Sequence, residues 1–140
     1  MRRYVLASLA MLCIACSGDT NLDPDPITGS YTLQTVDGNK IPAVFYQDTQ
    51  EKDEFVSGSV MLSTGNNWQG TLTLRGTDLT TNEVFGFTAP IGGSYTVTDN
   101  SITLSDAFNG LTFTGTVSGG TLSIGSEIVF GSTTMLVFQK

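Results

Sequence analysis

The sequence predicts an all-β domain, an antiparallel meander closed on itself as a small β-barrel of about 8–10 strands. Three observations carry this. After residue 16 the chain is rich in Gly, Thr and Ser and lacks long runs of Leu, Ala, Glu and Lys, so helix is disfavoured at nearly every position. From Ile27 onward apolar and hydroxyl residues alternate with a period of two. Turn residues interrupt that alternation every eight to twelve positions.

Strands are expected near residues 30–37, 40–46, 54–63, 67–77, 83–89, 93–98, 101–105, 111–118, 121–129 and 133–139. Gly38 in VDGNK separates the first two, and DTQEKDE, which gathers carboxylates around Lys52, reads as a solvated loop before the third. That cluster could hold calcium weakly, but the solvated loop is the preferred reading. Gly65 in STGNN turns the chain into WQGTLTLR, where Trp68, Gly70, Leu72 and Leu74 share one face and Gln69, Thr71, Thr73 and Arg75 the other. Asp78 to Asn82 is a second irregular stretch. GSYTVT and LTFTGTVS repeat the two-faced pattern, and Asp99-Asn100 and Gly119-Gly120 supply tight turns. The exposed face is a carpet of threonine, whose branched β-carbon favours extended backbone while its hydroxyl meets water. Many short strands with one apolar face are best satisfied by closure, which removes edges. A two-sheet sandwich is the alternative.

The inward face is expected to hold Tyr31, Leu33, Trp68, Leu72, Leu74, Phe85, Phe87, Tyr95, Val97, Ile102, Leu104, Phe113, Val117, Leu122, Leu136 and Phe138, with Gly70, Gly86 and Gly115 leaving space or permitting curvature. The interior of a barrel this small is either filled by side chains or just wide enough for one small ligand. In the second case the candidate ligand-lining residues are Tyr31, Trp68, Leu72, Phe85, Phe87, Tyr95, Phe113 and Phe138.

The first residues have a different character. Arg2 and Arg3 precede an apolar run from Tyr4 to Ile14, ended by Ser17, Gly18 and Asp19. The run is shorter than the roughly 20 residues a membrane span needs. Cys13 and Cys16 are the only cysteines and the chain has no histidine, so their C-x-x-C spacing has no partners for a zinc site and no helical setting for a redox pair. Ile14, Ala15 and Cys16 resemble the end of a bacterial lipoprotein signal peptide. That resemblance implies removal of residues 1–15, acylation of Cys16 as the new first residue, and, with Ser17 next to it, an outer-membrane address in the bacterial cell envelope. Several acyl chains, at about 0.8 kcal/mol per buried methylene, would hold the protein on a bilayer. Residues 16–26 then form a polar, Pro-broken tether, and residues 27–140 the barrel domain.

The segments GSYTLQTVDGNKIP, GSYTVTDNSITLS, GTVSGGTLSI and MLVFQK resemble the small lipocalin-like lipoproteins of bacteria. The broader lipocalin family opens with G-x-W and packs a late Arg over that Trp. Gly29, Ser30, Tyr31 and Lys140 occupy the matching places here, which implies that Tyr31 closes one end of the barrel beneath the Lys140 stem.

Charge excludes one class of partner. The full chain carries −7, and without Arg2 and Arg3 four basic residues face thirteen acidic ones, a net of −9. No basic cluster exists to neutralise phosphates, so nucleic-acid binding is not expected. Without histidine, and with its one remaining thiol acylated, the chain lacks the usual base for a Ser or Cys nucleophile. Paired carboxylates suffice for glycoside hydrolysis, and Glu83, Asp106 and Glu127 lie near strand ends, but as exposed charges at loop mouths. The expectation is a non-catalytic, lipid-anchored barrel without metal or cofactor that binds a small apolar ligand. The alternative is a filled scaffold whose loops bind a protein partner.

Overall fold

Alternating residues pair into ten strands: β1 (Gly29–Val36), β2 (Asn39–Lys40), β3 (Ala43–Gln47), β4 (Glu51–Ser63), β5 (Asn67–Asp78), β6 (Val84–Thr98), β7 (Ser101–Asp106), β8 (Thr112–Ser118), β9 (Thr121–Val129) and β10 (Ser132–Gln139). The computed structural model describes residues 27–129 and 132–140, with the side chains of 126–132 left aside. The signal segment, Cys16 and the tether lie outside the described residues. The sheet order is β2-β1-β10-β9-β8-β7-β6-β5-β4-β3, and a further pairing of β1 with β4 closes it into an eight-stranded antiparallel barrel. The architecture is consistent with a small lipocalin-like barrel, and closure replaces the sandwich alternative.

The closing seam joins Gly29 to Leu62, Ser30 to Met61, Tyr31 to Val60 and Thr32 to Ser59. Beyond Thr32 the two strands part. β2 pairs with Thr35 and Val36 of β1, while β3 pairs with Ala43 opposite Phe55 on β4, so the two short strands fill the widening gap. Closing eight strands demands tight coiling of the sheet. Two inward glycines permit it: a Cβ on Gly70 would lie 2.1 Å from the Ser59 carbonyl oxygen, and one on Gly115 would lie 1.8 Å from that of Ser123. No side chain fits there.

Three local expectations are corrected. Residues 40–46 are not one strand, because Pro42 offers no N–H to a ladder and separates β2 from β3. Residues 83–89 and 93–98 belong to one 15-residue strand, Val84–Thr98, with Gly92 and Gly93 inside it where neighbouring backbone leaves little room for a Cβ. DTQEKDE is a tight turn and a strand start, since Asp48 Oδ1 accepts the N–H groups of Gln50 and Glu51 at 2.7 Å and β4 begins at Glu51.

The interior is filled. Tyr31, Leu33, Phe55, Val60, Leu62, Ile102, Leu104, Phe113, Val117, Leu122, Ile124, Leu136 and Phe138 are 0–2% exposed. Each such side chain contributes about 1.5–3 kcal/mol on burial. Trp68 meets Phe113 edge to face at 5.9 Å and donates from Nε1 to the Ser105 carbonyl at 3.2 Å. At the lower end the Tyr31 hydroxyl donates to the Ile27 carbonyl at 2.6 Å, and Lys140 Nζ lies 5.5 Å from the Tyr31 ring centre. This is the closure that the lipocalin resemblance implies. The 99–100 and 119–120 hairpins gather at the same end around Ile27.

The coiling account gives a paired prediction. Gly115→Val is expected to lose about 3 kcal/mol or more in urea unfolding, because its neighbour is backbone and cannot yield. Gly86→Ala, whose nearest atom would stand 3.7 Å away, should stay within about 1 kcal/mol of the parent. Equal losses at both positions would contradict the account.

Candidate ligand-binding site

A cavity that admits even one water leaves accessible area on its walls. Of the candidate lining residues, Tyr31, Trp68, Tyr95, Phe113 and Phe138 are 0–3% exposed, so they pack against one another and offer a ligand nothing inside the barrel. Phe85 and Phe87 depart in the opposite direction, at 55% and 59% exposed. They do lie on the inward face: Phe87 pairs with Leu74, and Phe85 pairs with Gly76. They are exposed because β6 pairs with β7 only from Gly93 to Thr98, so residues 84–92 run on beyond the barrel wall beside β5 and β4. Gly86 therefore points outward with Arg75, contrary to expectation.

The outcome is an overhanging flap built of β3, β4, β5 and the first half of β6, with its inner face over the barrel mouth. Phe55, Leu72, Leu74, Phe87, Ala89, Ile91, Asn109 and Leu111 line a cleft there of about 180 Å³. Leu72 and Phe87 are the two predicted lining residues that meet in it. Phe45 stacks obliquely on Phe55 with ring centres 4.7 Å apart. Phe55, Ile91 and Leu111 were not legible as site residues, although Phe55 ends a charged run and Leu111 follows a loop glycine, both places where apolar residues need a reason. A wider depression of about 450 Å³ lies on the outer wall among Ser59, Met61, Gln69, Thr71, Pro90 and Phe108. Several of its walls are outward hydroxyl and amide groups, and no charged group converges on it.

Buried charge holds the cleft's two sides in place. On the flap's outer face Arg75 donates from Nε and Nη2 to Glu54 Oε2 at 3.0 and 2.8 Å, and Lys52 approaches Oε1 at 3.4 Å. Burial pushes the Glu54 carboxyl up, but hydrogen bonds from Arg75 and Lys52 and their charges hold it below its usual value. Across the mouth Asp106 is 4% exposed and organises the loop between β7 and β8. Its oxygens accept from the backbone of Gly92 at 3.0 Å, Phe108 at 3.2 Å and Asn109 at 3.2 Å, and from Asn109 Nδ2 at 2.7 Å. Burial works against its charge, yet the donors of Gly92, Asn109 and Phe108 keep its carboxyl below the ordinary range. Asp106 is thus engaged in structure, Glu83 ends the flap's 79–83 loop, and the Glu127 side chain lies outside the described residues. Among the described residues no three His, Cys, Asp or Glu side chains are grouped to hold a metal ion.

Comparison of the chain with protein-family models, with curated proteins and with solved structures finds no match.

The Asp106 geometry predicts a pH signature. A carboxyl whose folded pKa lies below its unfolded value of about 3.9 adds stability above that value and loses it as pH falls through the folded one. The cost of Asp106→Asn in urea unfolding should be full at pH 6 and shrink below about pH 4. A cost independent of pH would mean that the charge on Asp106 contributes nothing.

Proposed function

We propose that this is a lipid-anchored protein of the bacterial cell envelope, tied to the outer membrane through acylated Cys16. Its non-catalytic barrel takes a small apolar ligand at its mouth. The observation that carries the ligand reading is the aromatic-walled cleft beside Phe87, a large apolar side chain left 59% exposed at the edge of a filled core. Exposed apolar side chains that converge on a concave site mark binding more often than chance exposure does. The filled interior directs the reading to the mouth and away from the barrel axis.

The first described residue, Ile27, and the cleft lie at opposite ends of the barrel. Ile27, where the tether joins, packs at the Tyr31 end, whereas the 79–83 loop and Asp106 flank the mouth. Ten extended tether residues span about 33 Å. A tether of that reach, entering at the far end, would leave the cleft open to ligands arriving from solution.

The protein-partner reading also has support: Val84, on the flap's outer face, and Phe108, on the outer wall, are 63% and 69% exposed at the mouth end. A scaffold that docks a protein there would bury both.

Two measurements test the proposal. A neutral solvatochromic dye should bind saturably, and Phe87→Ser should weaken it at least about tenfold without lowering the melting temperature, as loss of a ring worth about 1.5–3 kcal/mol requires. No saturable binding, or binding indifferent to Phe87, would leave the protein-partner reading. Mass spectrometry of the envelope form should find an acylated Cys16 and no Cys13. An unmodified Cys16 would remove the anchor.

A further inference from the structure

The flap's inner face is ordered by strand register into rows. Phe55, Leu74 and Phe87 form the row at the cleft. One step outward, Asp53, Gly76 and Phe85 form the next, and Glu51 opposite Asp78 forms the last. Rows two residues apart stand about 6.6 Å from one another, so the aromatic row and the outermost carboxylates are separated by about 13 Å. A Cβ on Gly76 would lie 2.1 Å from Cζ of Phe85, so the Phe85 ring lies directly over the glycine and forms a bridge between the two ends. Gln50, Glu51, Asp78 and Phe85 enclose a second hollow there of about 260 Å³.

The outer end of this trough is negative without a counter-charge. Lys52 and Arg75, the two basic residues of the flap, are on its other face and bound to Glu54. Asp78 Oδ1 accepts from Thr80 and Thr81 in its own turn, a role that leaves its charge in place. Burial, and to a lesser extent the charge of Asp48, raise the Asp53 carboxyl above its ordinary value.

We infer that the mouth is built for an amphipathic cation, an alkyl or aryl ammonium compound with its apolar part between Phe55, Leu74 and Phe87 and its ammonium group between Phe85, Asp53 and Glu51. The inference rests on the mouth reading above and names the chemistry of its ligand. Charge complementarity selects the occupant. A fatty carboxylate would bring like charge to the rim, and a neutral apolar compound would leave the carboxylates unanswered. The exposed face of Phe85 adds cation–π attraction at the same point.

Isothermal titration of the barrel domain with octylammonium, 1-octanol and octanoate tests this, since the three share a tail and differ only in head group. Octylammonium is expected to bind at least about tenfold more tightly than 1-octanol, and octanoate most weakly. The Glu51→Gln/Asp53→Asn variant should remove most of the octylammonium preference over 1-octanol, at least about threefold of it, while leaving 1-octanol unchanged. Neither carboxylate takes part in the hydrogen bonds that hold the flap, so the variant should fold. Equal binding of octylammonium and 1-octanol by the parent protein would overturn the cation inference and leave the apolar mouth standing. Binding of none of the three would overturn both.

Discussion

The pairing of β1 with β4 is the constraint on which the rest of the structure depends. β1 is held by β10 on one side and must reach β4 on the other, and only a tightly coiled sheet brings the two together. Coiling of that degree pushes strands into near contact at Gly70 and Gly115, and it narrows the bore until Trp68 and Phe113 meet across it. A filled core follows from closure. Ligand capacity, where it exists, is displaced to the rim.

Strand lengths decide what the rim looks like. β4, β5 and β6 have 13, 12 and 15 residues, whereas β7 and β8 on the facing wall have 6 and 7. The three long strands outrun the barrel, and their inward face continues past the point where the opposite wall ends. Near the core that face is still apolar, at Leu72 and Leu74, and at the tip it is acidic, at Glu51 and Asp78. The aromatic cleft and the carboxylate rim are successive rows of one sheet, fixed in order by register alone. The outward face of the same flap carries the Glu54, Arg75 and Lys52 ion group, which keeps its basic residues from neutralising the rim.

Period-two alternation was enough to read the class, the meander, the turns at Asp99 and Gly119 and twelve of the nineteen buried apolar side chains described, while Val36, Ala43, Phe55, Val60, Leu62, Ile91 and Ile124 went unread. Even the closure at Tyr31 under Lys140 was legible by resemblance, because a ring and a basic stem recur at the matching positions. The misreadings have separate physical causes. Alternation assigns a side chain to a face but gives no height along the barrel, so Phe85 and Phe87 read as core although their strand has left its neighbour behind. In the run FGF, parity and not smallness decides direction, which puts Gly86 outside. DTQEKDE read as loop because charge is uncommon in strands. The Arg75 partner that makes Glu54 compatible with a strand lies 21 residues away and is visible only once β4 and β5 are paired.

The central claim is that the barrel core is closed to ligands and that apolar compounds reach only the mouth. Methyl-resolved NMR during titration with 1-octanol tests it most directly. The account predicts shifts at Leu72, Leu74, Ile91 and Leu111 and none at Leu104, Leu122 and Leu136, which are 0% exposed. Shifts centred on those three core leucines would contradict it, since they would require an interior that opens to admit the ligand.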